Sequence, residues 1–227
     1  MTGDRLRIAV IDTGINARHP HICAPTHFVA FDPAEDGPCD DILGHGTAVT
    51  AAIQEKAADA DYYILKLFDK SLQASARRLL RAIDWTIQHQ MDLVNLSLGT
   101  SNFDHRAALE ALVARAIDAG VVLVAARRSE QGPVLPGMLE GVISVDVDWN
   151  LERDQYRVSQ ENGSAVFYAS GFPRPLPGIS VARNLSGISF AVANMTGLVA
   201  RVCKNLEERS MDKIVSILTS ETPQLTS

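Results

Sequence analysis

Three short segments of the chain carry side chains that could act together as a nucleophilic catalyst. Asp12 lies in the run Ile-Asp-Thr-Gly, His45 in Gly-His-Gly-Thr and Ser189 in Gly-Ile-Ser-Phe-Ala. A serine hydroxyl is a poor nucleophile until a base takes its proton, and imidazole can do so near neutral pH without a large pKa shift. A carboxylate can hold the imidazole in the required orientation. We therefore assign Ser189 as the nucleophile, His45 as the general base and Asp12 as the orienting group.

Each of these residues has a structural explanation when it is considered alone. A serine at the start of a helix commonly caps it, and an aspartate at the end of a strand commonly forms a turn. A histidine at a helix start is usually a capping or surface residue. All three residues occur here beside glycines that can form sharp turns, in the order Asp, His, Ser, which is one of the known chain orders of such a triad. Together the segments favour catalysis.

The elements that would position these residues form an alternating pattern. Buried strands are predicted at 5–11, 62–68, 93–98, 121–126 and 142–147, a short strand at 165–169, and helices at 45–58, 79–87, 108–117, 187–206 and 211–218. Continuous Val/Ile/Leu runs that alternate with helices indicate a doubly wound α/β fold, a mostly parallel sheet with helices on both faces. Sites in such sheets lie at the carboxyl ends of strands, where Asp12 falls. No interior linker or repeat divides the chain, so we predict one domain over residues 1–227.

The three motifs, with the run Ile-Ala-Val-Ile-Asp-Thr-Gly-Ile at 8–15 and His19-Pro20 after it, resemble the subtilisin-like serine protease family, the subtilases. The resemblance implies a subtilisin-like fold and a serine endopeptidase that acts on peptide or protein substrates. Ser97, Leu98 and Gly99 resemble the family's substrate-binding strand, whose backbone would pair with an extended peptide.

The chain departs from the family where the oxyanion should be stabilised. The family places a Gly-Asn segment after a Val/Ala-rich strand, and an ungapped count puts Arg128 and Ser129 there. Ser129 and the backbone N–H of Ser189 are our candidate oxyanion donors. Loss of such a donor costs about 10²- to 10³-fold in kcat, a magnitude that comes from subtilisin itself. We expect a slow enzyme, or one that completes its oxyanion hole on binding a particular substrate.

Two alternatives to an active protease follow from the sequence. The first is a pseudoprotease, a peptide-binding module whose altered oxyanion region has abolished turnover. The second is a doubly wound protein that binds a small molecule. The second alternative requires a glycine-rich phosphate loop after the first strand, and residues 12–16 do not form one.

Ala126, Arg127 and Arg128 lie where the family forms one wall of its first specificity pocket, and we assign them to substrate binding. For the two arginines we favour solvated surface side chains. The alternative hypothesis is that they select an acidic side chain before the scissile bond.

Two clusters raise the question of a metal. The first could bind zinc but has loose spacing; it comprises His19, His21, Cys23, His27 and Cys39. The second could bind calcium but lacks the spacing of a recognised calcium loop; it comprises Asp32, Glu35, Asp36, Asp40 and Asp41. We therefore expect no metal site and no cofactor.

Composition limits the partners and the compartment. A net charge of −6 argues against nucleic-acid and anionic-membrane partners, and no apolar run is long enough to span a bilayer. Three cysteines cannot all pair within one chain, which favours a reducing compartment. The first strand follows the N-terminus closely, without a signal-peptide-type stretch or room for a pro-segment. We expect a cytoplasmic enzyme with a dedicated peptide-processing role.

Overall fold

A single twisted sheet organises the fold in the computed structural model, which describes residues 5–32, 38–68, 74–161 and 163–220. Eight strands of the described chain lie in the order β2-β3-β1-β4-β5-β8-β10-β9. Their bounds are β1 Arg7–Asp12, β2 Thr26–Val29, β3 Asp61–Lys66, β4 Leu93–Leu96, β5 Val122–Ala126, β8 Ile143–Val147, β9 Tyr156–Glu161 and β10 Ser164–Ala169. All neighbours pair in parallel except β9, which runs antiparallel to β10. A separate hairpin joins β6 (Arg128–Ser129) to β7 (Gly132–Pro133).

The central strand β1 shows why the sheet is buried on both faces. Ile8 and Val10 point into one hydrophobic cluster, whereas Ala9 and Ile11 point into a second. This division follows from the alternation of side chains along a strand. Each face therefore needs its own layer of helices, as the continuous apolar runs predict.

Five helices supply these layers: α1 His45–Gln54, α2 Ala76–Gln88, α3 Arg106–Asp118, α4 Ile188–Lys204 and α5 Met211–Ser220. Residues of α1, α4 and α5 belong to the first cluster, and residues of α2 and α3 to the second. Thus α1 and α4, which begin at the proposed base and nucleophile, lie on the same face of the sheet. The described helices include none that is both long and apolar enough to cross a membrane.

The predicted doubly wound α/β architecture is confirmed. Of the eight strands in the sheet, the two that are not predicted from the sequence, β2 and β9, are the edge strands. β2 has two exposed residues among its four, and β9 is only half-buried along most of its length. Edge strands bury little apolar surface, so their sequences lack the Val/Ile/Leu runs by which the central strands are recognised.

Candidate active site

The carboxylate and imidazole that the sequence predicts to cooperate do meet at the end of β1. His45 Nδ1 lies 2.7 Å from Asp12 Oδ1, which also accepts a hydrogen bond of 2.8 Å from the N–H of Thr13. Asp12 is 1% exposed, and the His45 side chain is 16% exposed. With Nδ1–H donated to the carboxylate, the other ring nitrogen, Nε2, is left as a proton acceptor.

Two opposing effects act on the pKa of His45. Burial lowers it, but the hydrogen bond to Asp12 and the charges of Asp12 and Asp41 outweigh burial, so the pKa of His45 is raised above its usual 6.5. The imidazole therefore favours the protonated form more than a free histidine does. Such a base accepts a proton readily, because the resulting imidazolium is stabilised in place.

Asp41 holds the start of α1 in position. One carboxylate oxygen accepts from the N–H of Gly44 at 2.8 Å and from Thr13 Oγ1 at 2.7 Å. The other accepts from the N–H of Thr47 at 2.7 Å and from its hydroxyl at 2.6 Å. A carboxylate at a helix N-terminus satisfies free N–H groups and interacts favourably with the helix dipole. Asp41 thus fixes the turn that presents His45, a role that the calcium hypothesis missed.

Two glycines allow the His45 turn to reach Asp12. A Cβ on Gly46 would lie 2.4 Å from the carbonyl oxygen of Gly14, closer than non-bonded atoms approach. Gly14 has a φ of +110°, and a Cβ there would lie 2.3 Å from the carbonyl oxygen of Cys39. Close packing of backbone against backbone therefore explains Gly14 and Gly46, whereas Gly44, where an added Cβ would meet no atom within 4 Å, has a positive φ of 74°.

Ser189 occupies the first turn of α4, whose N-cap is Gly187. The N–H groups of a helix's first turn have no partner within the helix and carry a partial positive charge. The serine hydroxyl donates to the carbonyl oxygen of Ser97 at 3.1 Å. Within the described chain no hydrogen bond joins Ser189 to His45, although the imidazole contacts the next residue, Phe190, with ring centroids 5.5 Å apart.

A polar chain ties Ser189 to the end of β4. Thr196 Oγ1 donates to Asn95 Oδ1 at 3.0 Å, and Asn95 Nδ2 donates to Ser97 Oγ at 2.8 Å. Ser97 Oγ in turn donates to the Ser189 carbonyl at 3.3 Å. Thr196 and Asn95 are fully buried, so the network rigidly connects α4 to β4. A polar residue inside an otherwise apolar strand, such as Asn95, is the feature of the sequence that could have indicated this buried network.

The segment Ser97–Gly99 continues beyond β4 without joining a strand. Its far end is fixed by Thr100, which exchanges two backbone hydrogen bonds of 2.9 Å with Leu135. Leu98 packs against the α2/α3 side of the core, whereas Gly99 is exposed. This arrangement leaves backbone groups available at the carboxyl edge of the sheet, beside Ser189.

The Ser129 hydroxyl is engaged within its own hairpin. It accepts from the N–H of Gln131 at 3.2 Å and donates to the Gly132 carbonyl at 3.4 Å. Ser129 is exposed, and a donor distance of 3.4 Å is long for a hydroxyl. The side chain is thus held weakly by the turn.

The expectation that Arg127 is solvated is wrong. Arg127 is buried and forms an ion pair with Glu161 on β9, a carboxylate that also accepts from Tyr168 Oη at 2.6 Å. Arg128 is exposed, and its Nε lies 2.6 Å from Asp146 Oδ2. Ala126 is buried within β5, opposite Val145. Both arginines pair with carboxylates of the protein itself, which argues against selection of an acidic substrate residue by the buried Arg127.

The candidate metal ligands are engaged elsewhere or dispersed. Asp32 pairs with Arg81 at 2.6 Å, and Asp41 caps α1 as described. Glu35 and Asp36 of the acidic loop lie outside the described residues. In the parts of the chain that are described, no three His, Cys, Asp or Glu side chains are grouped so that they could hold a metal ion.

Comparison with protein families decides the affiliation of this chain. The model of the Subtilase family matches residues 3–222. The chain belongs to the subtilase family. Its relatives include a thermostable alkaline protease of Halalkalibacterium halodurans, 31% identical over 222 residues, and subtilisin E of Bacillus subtilis, 28% identical over 214 residues. These alignments cover 88% and 87% of this chain but only 57% and 53% of the two relatives, so the chain spans little more than half their length.

Solved structures share the fold of this subtilase-family chain. The prenylagaramide maturation protease PagA matches with a TM-score of 0.73 at 22% identity, covering 96% of this chain and 84% of PagA. The nisin leader peptidase NisP of Lactococcus lactis matches with a TM-score of 0.74 at 16% identity, covering 99% and 84%. At these identities the similarity concerns the fold alone.

Proposed function

We propose that this protein is a serine endopeptidase whose catalytic triad is Asp12, His45 and Ser189. The observation that carries the proposal is the 2.7 Å contact between His45 Nδ1 and Asp12 Oδ1, formed beside the helix start that holds Ser189. This contact selects the tautomer in which Nε2 accepts a proton. Membership of the subtilase family supports the same assignment.

The reaction begins when the Ser189 hydroxyl leaves the Ser97 carbonyl and turns towards His45 Nε2. Catalytic hydrogen bonds often tighten only when substrate binds, so a rotation of this kind is compatible with the unbound geometry. Ser189 Oγ attacks the peptide carbonyl carbon while its proton passes to Nε2. His45 then protonates the leaving amine, and the carbon–nitrogen bond breaks to give an acyl-enzyme. Water, deprotonated by His45, releases the acyl group and restores the serine.

Two groups would stabilise the oxyanion that forms during attack. The N–H of Ser189 lies in the first turn of α4, where the helix field favours negative charge. The hydroxyl of Ser129 can contribute only if it abandons its 3.4 Å bond to the Gly132 carbonyl. We therefore propose a slow enzyme whose second oxyanion donor is recruited when substrate binds.

The acyl part of the substrate would lie along Ser97–Gly99, where backbone groups continue beyond the sheet. A dedicated role, the trimming of a leader or precursor peptide, suits such limited turnover. PagA and NisP, which share the fold, are by their titles a maturation protease and a leader peptidase. We further propose that the protein works in the cytoplasm, since Cys23, Cys39 and Cys203 are all unpaired thiols.

The second candidate function is that of a pseudoprotease that binds peptides without cleaving them. Two arguments favour it: the Ser189 hydroxyl donates to Ser97 rather than to His45, and an ungapped count along the sequence puts Ser129 at the family's oxyanion asparagine position. Both functions require the same peptide-binding segment, so binding alone does not separate them.

Turnover of a peptide separates the two functions. A random peptide library is incubated with the wild type and with Ser189→Ala, His45→Ala and Ser216→Ala, and the products are identified by mass spectrometry. Ser216 is an exposed serine on α5, so its variant is a matched control. We expect the first two variants to lose about 10⁴-fold or more in rate and the control to match the wild type. Binding of peptides by the wild type without any cleavage would establish the pseudoprotease instead.

A further inference from the structure

A cavity of about 470 Å³ lies on the side of His45 where α1 begins. One wall consists of the first turns of α1 and the segment that follows β1, including Gly44, which precedes His45. The other wall is the loop that follows β10 and ends shortly before Ser189, including Leu185. None of the residues that line this cavity belongs to Ser97–Gly99, the segment proposed for the acyl part of the substrate.

The cavity mouth carries an unusual amount of exposed apolar surface. Leu43, Ile179 and Leu185 line it and are 39%, 41% and 43% exposed. Ile42, next to Leu43 in the chain, and Val181, two residues from Ile179, are also exposed. Concave apolar surface that remains open to water is typical of a binding site. Two residues on opposite walls connect the cavity to the catalytic motifs along the chain: Gly44 directly precedes His45, and Leu185 lies four residues before Ser189.

One of the two arginines that line this cavity lacks an acidic partner in the described chain. Asp41, the carboxylate among the described lining residues, already accepts four hydrogen bonds from Thr13, Gly44 and Thr47. Arg174 joins the two walls by donating to the His21 carbonyl at 3.3 Å, and its Nε lies 3.7 Å from Glu55 Oε1. Arg183, in contrast, is exposed, and no acidic partner for it occurs among residues 5–32, 38–68, 74–161 and 163–220. An unpaired guanidinium beside an apolar mouth is complementary to an acidic residue next to an apolar one.

We propose that this cavity binds the part of the peptide substrate that follows the scissile bond and selects an apolar side chain together with an acidic one. The inference rests on the proposed endopeptidase function and adds a substrate class to it. In that reaction His45 must protonate the leaving amine, so the leaving peptide lies against the helix start that presents His45. The cavity is lined by Gly44, the residue at that helix start, and is therefore our candidate for the leaving-peptide site.

The test is a cleavage profile that covers both sides of the broken bond. A random peptide library is digested by the wild type, Arg183→Glu, Ile179→Ser and Arg77→Glu, and the new N-termini are sequenced. Arg77 is an exposed arginine in the first turn of α2, on the opposite face of the sheet, so Arg77→Glu reproduces the change in net charge away from the cavity.

We expect Asp and Glu to be enriched about two- to fivefold within the first residues after the bond cut by the wild type, the range of an exposed ion pair. Arg183→Glu should reverse this preference towards Lys and Arg, Ile179→Ser should weaken the accompanying apolar preference, and Arg77→Glu should retain the wild-type profile. Residue preferences before the bond should be the same in all four proteins.

The results that would overturn this inference differ from those that would overturn the proposed endopeptidase function. A leaving-side profile without acidic enrichment, or one that Arg183→Glu leaves unchanged, would overturn the inference alone. Acidic enrichment confined to residues before the bond would also overturn it, because the cavity would then hold the acyl part. If the library stays intact and a fluorophosphonate probe fails to label the wild type, both the endopeptidase function and the inference fall.

Discussion

Replacing Gly46 by alanine should disable catalysis by moving a helix rather than by removing a catalytic atom. The added Cβ would lie 2.4 Å from the Gly14 carbonyl oxygen, where an ordinary contact begins at 3.4 Å. Both sides of this contact are backbone, so the start of α1 must retreat by about 1 Å to restore an ordinary contact. The distance from His45 to Asp12 would then increase from 2.7 Å towards about 3.7 Å, beyond hydrogen-bond length.

The expected cost of this displacement is about 10²-fold in kcat/KM, the magnitude associated with a catalytic group misplaced by about 1 Å. Overpacking should also lower the free energy of unfolding by about 1–3 kcal/mol. The assay compares the rate of fluorophosphonate labelling with the folded fraction measured by circular dichroism. Labelling per folded molecule is the quantity that reports on His45.

Gly197→Ala is the matched control for Gly46→Ala. Gly197 lies in α4, and a Cβ there would meet the side chain of Lys56, two residues beyond the end of α1, at 2.8 Å without a backbone contact closer than 3.3 Å. This change overpacks the opposite end of α1 from His45, so it should lower stability while labelling per folded molecule stays close to that of the wild type. Wild-type labelling by folded Gly46→Ala protein would refute the argument that this glycine sets the distance between His45 and Asp12.

Three further predictions concern charged groups. Because the pKa of His45 is raised above 6.5 and its neutral form is the base, fluorophosphonate labelling should increase with pH through a midpoint above 6.5. Asp41→Asn removes one of the charges that raise this pKa, so it should lower the midpoint. An unchanged midpoint would contradict the role of the Asp41 charge. Arg127→Met should lower the free energy of unfolding in denaturant by about 1–3 kcal/mol, because it leaves Glu161 without its ion-pair partner. It should leave the residue preference before the scissile bond unchanged. A changed preference would show that Arg127 does contribute to substrate binding. Burial lowers the pKa of Lys56 from 10.5 to about 8, so between these pH values the unfolded chain binds more protons than the folded one. From pH 8 to pH 10.5 the free energy of unfolding of the wild type should therefore rise by about 3 kcal/mol relative to that of Lys56→Met. Urea titrations of both proteins at the two pH values measure this difference, and the absence of a rise would disprove the argument.

The sequence predicts best the parts of the site that local chemistry determines. Asp12 and His45 lie in short motifs whose glycines each have a local backbone reason: Gly14 and Gly46 lie against another backbone segment, and Gly44 has a positive φ. The Val/Ile/Leu runs similarly identify the central strands, because those strands are buried on both faces. Asp12 also ends β1, and the carboxyl ends of parallel strands are where sites form in such sheets.

Long-range polar partners account for what the sequence did not predict. From the sequence, Arg127 is predicted to be a solvated surface arginine. Its partner, Glu161, comes 34 residues later, on an edge strand with a weak apolar pattern. From the sequence, Asp41 is assigned to an acidic loop. In the structure it caps α1 by accepting from the N–H groups of Gly44 and Thr47, three and six residues later. In both cases the decisive contact depends on tertiary folding, which periodicity and composition do not report.

Covalent labelling of the intact chain tests the central claim most directly. The wild type, Ser189→Ala and His45→Ala are treated with a fluorophosphonate, and the labelled residue is located by mass spectrometry. If Asp12, His45 and Ser189 form a working triad, the wild type acquires one adduct on Ser189, Ser189→Ala acquires none, and His45→Ala reacts far more slowly. An unlabelled wild type, or equal labelling of Ser189→Ala, would contradict the claim.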